Sequence, residues 1–373
     1  MSVAELRHDV ETLAGMVRDS AGAGERASAE WVADRLRRLG AADVRIEPYR
    51  YQSTFALAQG AHFAAGALAA FHGRRLLAAA TLASFELDYS GRGQWSRGLL
   101  PAGDGANAIG TLPARGERTR TLVLVAHHDA ARTGLMWDPR FLAAGDAAAE
   151  RTGKRASLAL LPELAMLGAV VGGRRTRRAA AAILAAAVAL AADQARSPTV
   201  PGANDNASGV AGVLAVAGRL ARDRPDGLEV VVLLCGSEES GMGGMAAWMR
   251  SEGRRLDSAT TLVLGLDTVG SGEPVVLEAE GGLWPVRYRE EDVAFAERAA
   301  HTAGVRLRRW RLGAWTDPVL ARLGGLPALS LLSVRQGGFP NYHRPQDTPE
   351  HVDYGCLEAC VSASAAIARA HAA

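Results

Sequence analysis

The sequence predicts an α/β fold: a mixed, largely parallel central sheet flanked by helices on both faces, forming one unit over residues 1–373. Three observations predict it. Short runs rich in Val and Leu recur at 107–112, 121–126, 229–235, 261–267, 274–279 and 327–333. They do not alternate with polar residues, which suits strands buried on both faces. Helical stretches stand between them, and strands alternating with helices build parallel sheets.

Taken in order, residues 26–39 place Trp31, Val32, Leu36 and Leu39 at helical spacing. Gly40 then stops the helix, and ADVRIEPY reads as a strand. Further helices are expected at 206–222, 241–253, 291–303 and 353–371. Two stretches break this rhythm, at 54–88 and within 140–197. Each holds an apolar segment, an Arg-bearing break (HGRR, then RRTRR) and a second apolar segment, so each is expected to be a helical-hairpin insertion. Their uninterrupted apolar runs fall short of the ~20 residues that cross hydrocarbon. Two readings stay open: helices packed on themselves, or hairpins that contact a membrane. Arg-rich tips favour the cytoplasmic side.

Composition narrows the function classes. Hydrophobic residues make up 48% and charged residues 22%, enough for a large core and against global disorder. The net charge of +2 exerts no strong pull on nucleic acid, so no such partner is expected. Cys235, Cys356 and Cys360 form neither a disulfide framework nor a Cys-x-x-Cys zinc site. The first residues lack a basic start followed by an apolar core. The expected location is therefore cytoplasmic or membrane-associated.

Five points along the chain carry chemistry. The strand at 121–126 runs into His127, His128 and Asp129. An imidazole at a strand end can ligate a metal, and a carboxylate two residues on can hold its other ring nitrogen. Asn204-Asp205-Asn206-Ala207-Ser208-Gly209 precedes an apolar helix and exceeds what a helix cap requires. The strand at 229–235 leads to Glu238 and Glu239, adjacent acids whose mutual repulsion a dication would relieve. One acid of such a pair can ligate while the other takes a proton from water. Asp267 stands at the tip of another apolar strand, and Tyr342-His343 lies in a Pro-rich loop. Sites in open α/β sheets form at the carboxyl ends of strands. Carboxylates with two imidazoles suit zinc, among other divalent metals.

In this order, VLVAHHDA, GANDNASGVAGVLAVA, LLCGSEESGMGG, GLDTVG and NYHRPQDTPE resemble the clan MH zinc aminopeptidases. That group includes bacterial leucyl-type aminopeptidases, vacuolar aminopeptidase and glutamate carboxypeptidase. The likeness covers about 105 to 355, the 140–197 insertion excepted. It implies the zinc exopeptidase fold and two zinc ions per chain. His127 and Asp267 would hold one, Glu239 and His343 the other, with Asp205 bridging. It further implies Glu238 as general base, Asp129 orienting His127, and Tyr342 stabilising an oxyanion. The implied activity removes N-terminal residues from peptides with a free N-terminus. One departure stands out: the family often has Ser-Asp-His before its last apolar strand, where this chain has Thr316-Asp317-Pro318. Two other readings stand beside this one: a non-catalytic scaffold on the same fold and a related glutaminyl cyclase-like amidohydrolase. The sequence leaves the oligomeric state open.

Overall fold

The computed structural model describes residues 2–373. In chain order, helices α1 (Val3–Ala14) and α2 (Ala23–Arg38) lead into β1 (Ala42–Tyr51). Two helices follow, α3 (Phe55–Phe71) and α4 (Arg75–Tyr89), then β2 (Gly103–Leu112) and β3 (Arg120–His127). Next come α5 (Pro139–Thr152), α6 (Leu160–Val171), α7 (Arg174–Arg196) and α8 (Ser208–Arg222). The chain continues through β4 (Leu228–Cys235), α9 (Gly243–Ser251), β5 (Thr261–Leu266), β6 (Glu273–Glu280) and β7 (Val286–Arg287). It closes with α10 (Glu290–Thr302), β8 (Arg308–Leu312), α11 (Pro318–Leu323), β9 (Ala328–Val334) and α12 (Tyr354–Ala372).

All nine strands join one sheet, ordered β1-β2-β4-β3-β5-β9-β6-β7, with β8 also pairing β6. The centre, β4-β3-β5-β9, is parallel throughout. Both flanks turn antiparallel, through β2 on β4 and β6 on β9. The expectation of a largely parallel sheet therefore holds for the centre only. All of β5 and all but the first residue of β3 are buried, which explains their unbroken apolar runs. Register puts His127 beside Cys235, and Val125 beside Gly265. The carboxyl ends of β3, β4 and β5 thus open side by side on one edge.

The expected strands all form, and β7 and β8 are additions, at two and five residues too short to show a pattern. Helices α1, α5 and α11 were likewise not foreseen; α1 is opened by a Ser2–Glu5 capping box. Helices α3, α4, α6 and α7 pack together as a four-helix cap with its own apolar core. Phe63, Phe85, Met166 and Leu184 fill it, with Ala69, Ala70, Ala78, Ala169 and Ala180 between them. This core is separate from the one that covers the sheet. Of the described helices, only Arg174–Arg196 combines the length and the composition that could cross a membrane.

Candidate metal centre

The run from Gly202 to Gly209 is a turn locked to the end of β5. Gly202 has φ +61, and a Cβ there would come within 2.4 Å of the Asp205 carbonyl oxygen. Asn206 Oδ1 accepts the Gly209 and Thr268 amides at 2.9 and 3.1 Å, and its Nδ2 donates to the Leu266 carbonyl. Asn204 Oδ1 accepts the Gly270 amide at 2.8 Å, and Ser208 Oγ accepts that of Val269. A side chain at Gly209 would strike the Leu266 carbonyl at 2.4 Å, so α8 approaches the strand only as glycine. The two asparagines, the serine and the glycine thus fix backbone, and Asp205 between them faces the sheet edge.

Around Asp205 the candidate residues converge. His127 Nε2 lies 3.3 Å from Asp205 Oδ1, and 3.9 Å from both Glu238 Oε2 and Asp267 Oδ1. His343 Nε2 lies 3.0 Å from Asp205 Oδ2 and 3.2 Å from Glu239 Oε2. Three sets could hold an ion, each with donor atoms within 4.8 Å of one another. They are His127/Asp205/Asp267, Asp205/Glu239/His343 and His127/Glu238/Glu239. Asp205 belongs to two of them and lies near both imidazoles.

The donors fit a metal on two counts. Both ring nitrogens of His343, Nδ1 of His127 and Oε1 of Glu239 are buried without a hydrogen bond among the described residues. Buried polar atoms ordinarily have a partner. The charge balance points the same way. Burial raises Glu239 to about 7 and Glu238 well above the carboxylate range. Burial alone would lower both imidazoles, yet the carboxylates around them win. They lift His343 to about 9 and His127 well above its usual value. A divalent cation among these carboxylates would supply the positive charge that their burial calls for.

A ring of less conspicuous residues holds these positions. Asp129 lies 3.4 Å from His127 Nδ1 and accepts the Glu238 and Glu239 amides at 3.1 and 3.2 Å. Ser20 Oγ also donates to it. Burial would raise Asp129, but the neighbouring His127 holds it below the usual range. Glu25 accepts the amides of Ala21, Ala106 and Ser237 and the Ser237 hydroxyl, at 2.7–2.8 Å. Asp347 accepts the Asn204 and Asp205 amides. Arg18 donates to the carbonyls of His128, Pro201 and Gly202. His128 is structural: Nδ1 meets Ser28 Oγ, Nε2 meets the Ala106 carbonyl, and burial lowers it to about 4. Sequence reasoning passed over Glu25, Arg18 and Asp347. Only Asp347 left a signal, since it lies in the same short segment as His343.

Left-handed backbone gathers here too: Ser237, Thr268 and His343 have φ of 52, 51 and 54. Such conformations cost energy in residues other than glycine and concentrate at functional sites. Tyr342 stacks on His343 at 3.9 Å between ring centroids, and Trp137 packs against His343 edge-on at 4.2 Å. A cavity of about 470 Å³ opens from Glu238, Glu239, Tyr342 and His343 toward the base of the helical cap. Its walls include Phe55, Phe63, Trp137, Leu158, Ile183 and Leu190. Asp317, in the segment that departs from Ser-Asp-His, is buried. Neither of its carboxylate oxygens has a hydrogen-bond partner among the described residues.

Residues 184–368 match the model of peptidase family M28, a span that includes Asp205, Glu238, Glu239, Asp267, Tyr342 and His343. No curated protein matches the chain. Among solved structures it is similar to a Zn-dependent exopeptidase from Parabacteroides distasonis, at TM-score 0.58 and 14% identity, covering 99% of this chain and 98% of that one. An aminopeptidase from Aneurinibacillus aligns with TM-score 0.58 and 13% identity, over 98% of this chain and 93% of its own. A glutaminyl cyclase from Bacteroides thetaiotaomicron aligns equally well, with TM-score 0.58, 17% identity and coverage of 99% and 97%. At these identities the likeness is one of fold.

Proposed function

The chain belongs to peptidase family M28, and from that premise we propose that it is a two-zinc aminopeptidase. The observation that carries this reading is the shared carboxylate Asp205, within 3.3 Å of an imidazole on either side. His127 and Asp267 would hold one ion, and Glu239 and His343 the other, with Asp205 between them. Bound there, the ions would polarise the scissile carbonyl, acidify a water and hold the substrate's free α-amine.

The chain's own groups do the rest. Glu238 borders the cavity beside His127, where its carboxylate takes the proton of the attacking water and returns it to the leaving amine. Asp129 keeps His127 oriented and, through the amides of Glu238 and Glu239, sets the position of both acids. Tyr342, held flat against His343, donates its hydroxyl to the oxyanion that forms as water adds. The apolar cavity takes the side chain of the N-terminal residue and favours bulky apolar ones.

The test is hydrolysis of a panel of aminoacyl-p-nitroanilides by zinc-loaded protein, beside Glu238→Gln prepared identically. Loss of a general base lowers the rate by roughly two to four orders of magnitude. Chelator-sensitive hydrolysis that disappears in the variant supports the reading. A second reading, glutaminyl cyclisation, takes its support from the equally good fit to the Bacteroides thetaiotaomicron cyclase. Release of pyroglutamate from a Gln-initiated peptide, with no nitroanilide turnover, would replace the first reading by the second. A chain that binds no metal and turns over neither substrate leaves the scaffold reading in place.

A further inference from the structure

The helical cap exposes more large apolar side chains than it buries. Its interior is largely alanine, with Ala69, Ala70, Ala78 and Ala169 buried. Many of its large apolar side chains point outward: Leu76 is 89% exposed, Phe71 71%, Val171 70% and Leu68 61%. Scattered exposed leucines need no explanation, but a cluster of them on one element does.

The cluster has a definite end. The Arg75 guanidinium donates to the Gly172 carbonyl at 3.1 Å, so the α3–α4 turn and the α6–α7 turn meet in space. Phe71, Leu76 and Val171 stand at this joint tip with six arginines, at positions 74, 75, 174, 175, 177 and 178. None of the six forms an ion pair among the described residues. The sequence carries no Asp or Glu from 48 to 85 or from 164 to 192. Four of the arginines fall within the first five residues of α7, where the helix dipole disfavours cations. Neither α4 nor α7 has a side-chain cap at its N-terminus. The tip therefore combines uncapped helix starts, guanidinium groups without a carboxylate partner (those of Arg75 and Arg177 donate to the Gly172 carbonyl) and protruding apolar side chains, an arrangement that anions above an apolar layer would satisfy.

We propose that this tip docks the protein on the surface of an anionic lipid bilayer. Phe71, Leu76 and Val171 enter the headgroup boundary while the arginines bind lipid phosphates. Charge selects the occupant. A second copy of the tip would bring six further arginines against the first six, and electroneutral lipid offers the arginines no net attraction. The contact is peripheral: α3, α4 and α6 have 17, 15 and 12 residues, short of the ~20 that span hydrocarbon, and α7, long enough at 23 residues, packs along α3 and α6 within the cap. Phe55, at the other end of α3, lines the cavity roughly 24 Å from Phe71 at 1.5 Å per residue, so docking leaves the cavity clear of the lipid.

The experiment is vesicle flotation of the full chain with phosphatidylcholine alone and with added phosphatidylglycerol. Alongside it run Phe71→Ser/Leu76→Ser and Arg174→Glu/Arg175→Glu, both checked for an unchanged melting temperature. The expected result is binding that requires phosphatidylglycerol, weakens with salt, and falls at least about tenfold in each variant. Hydrolysis of a soluble substrate stays at the parent level in both, which separates this proposal from the assignment of the activity. Absence of vesicle binding overturns it. So does equal binding to both lipids, binding unaffected by either variant, or a dimer in solution that the variants dissociate.

Discussion

Asp347 Oδ2 accepts the backbone amide of Asp205 at 3.0 Å, while Oδ1 accepts that of Asn204 at 2.9 Å. One carboxylate thereby sets the pose of the residue that both imidazoles approach. Replacing it by alanine frees two buried amides next to the candidate ligand. Partners of this kind are worth about 10–100-fold in metal affinity. Asp347→Ala is expected to weaken metal binding by that factor in a chelator competition, and Asp347→Asn by less.

Glu25 holds three segments at once through the amides of Ala21, Ala106 and Ser237. Each buried donor left without an acceptor costs about 1–3 kcal/mol. Glu25→Ala is expected to lose roughly 3 kcal/mol or more in urea denaturation. Glu25→Gln, which keeps an acceptor oxygen, is expected to lose clearly less. Equal losses would show that the amides find other partners.

Metal removal gives a third measurement. Four carboxylates and two imidazoles converge on a small volume. A ligand at about 100 times its Kd stabilises the folded state by about 2.7 kcal/mol. For a chain of this size that corresponds to about 4 °C in melting temperature. Chelation followed by stepwise return of zinc should therefore raise the melting point progressively with metal concentration.

A fourth concerns pH. Burial raises Glu280 from 4.5 to about 8, although the Thr316 amide and hydroxyl each donate to it at 2.7 Å. The folded state therefore holds this proton more tightly than the unfolded chain does. The resulting stability is complete below pH 4.5 and is lost as the pH rises to about 8. Glu280→Gln, which has nothing to titrate, is expected to flatten that part of the stability–pH curve. A parallel decline in parent and variant would assign the pH dependence to other groups.

These residues also mark how far the sequence could be read. β3 and β5 are legible as strands because burial on both faces leaves unbroken Val and Leu runs. Their parallel pairing then brings His127 and Asp267 to the same edge. Glu25 and Arg18 were illegible for a physical reason, and the role of Asp347 was hidden for the same one. They act through backbone hydrogen bonds across 81–212 residues, and a hydrogen-bonded amide leaves no mark on residue type. The antiparallel flanks were equally hidden, because strand composition does not encode direction. The two apolar helical pairs could be seen from composition, but their union at Arg75 and Gly172 could not. Alanine-rich helices carry too little periodicity to declare which faces meet.

The cap's separate apolar core has a consequence for how the molecule comes apart. Cooperative unfolding rests on a shared interior, and a chain with two interiors holds two units of cooperativity. The cap core is built largely of alanine around a few large side chains, and a buried alanine contributes less than a buried leucine, so the cap is expected to be the weaker unit. On heating it is expected to yield first, as earlier loss of amide-exchange protection in the cap helices than in β3 and β5 would show. The cavity wall is thus the most readily melted part of the protein, and the residues facing it from the sheet are among the last to disperse.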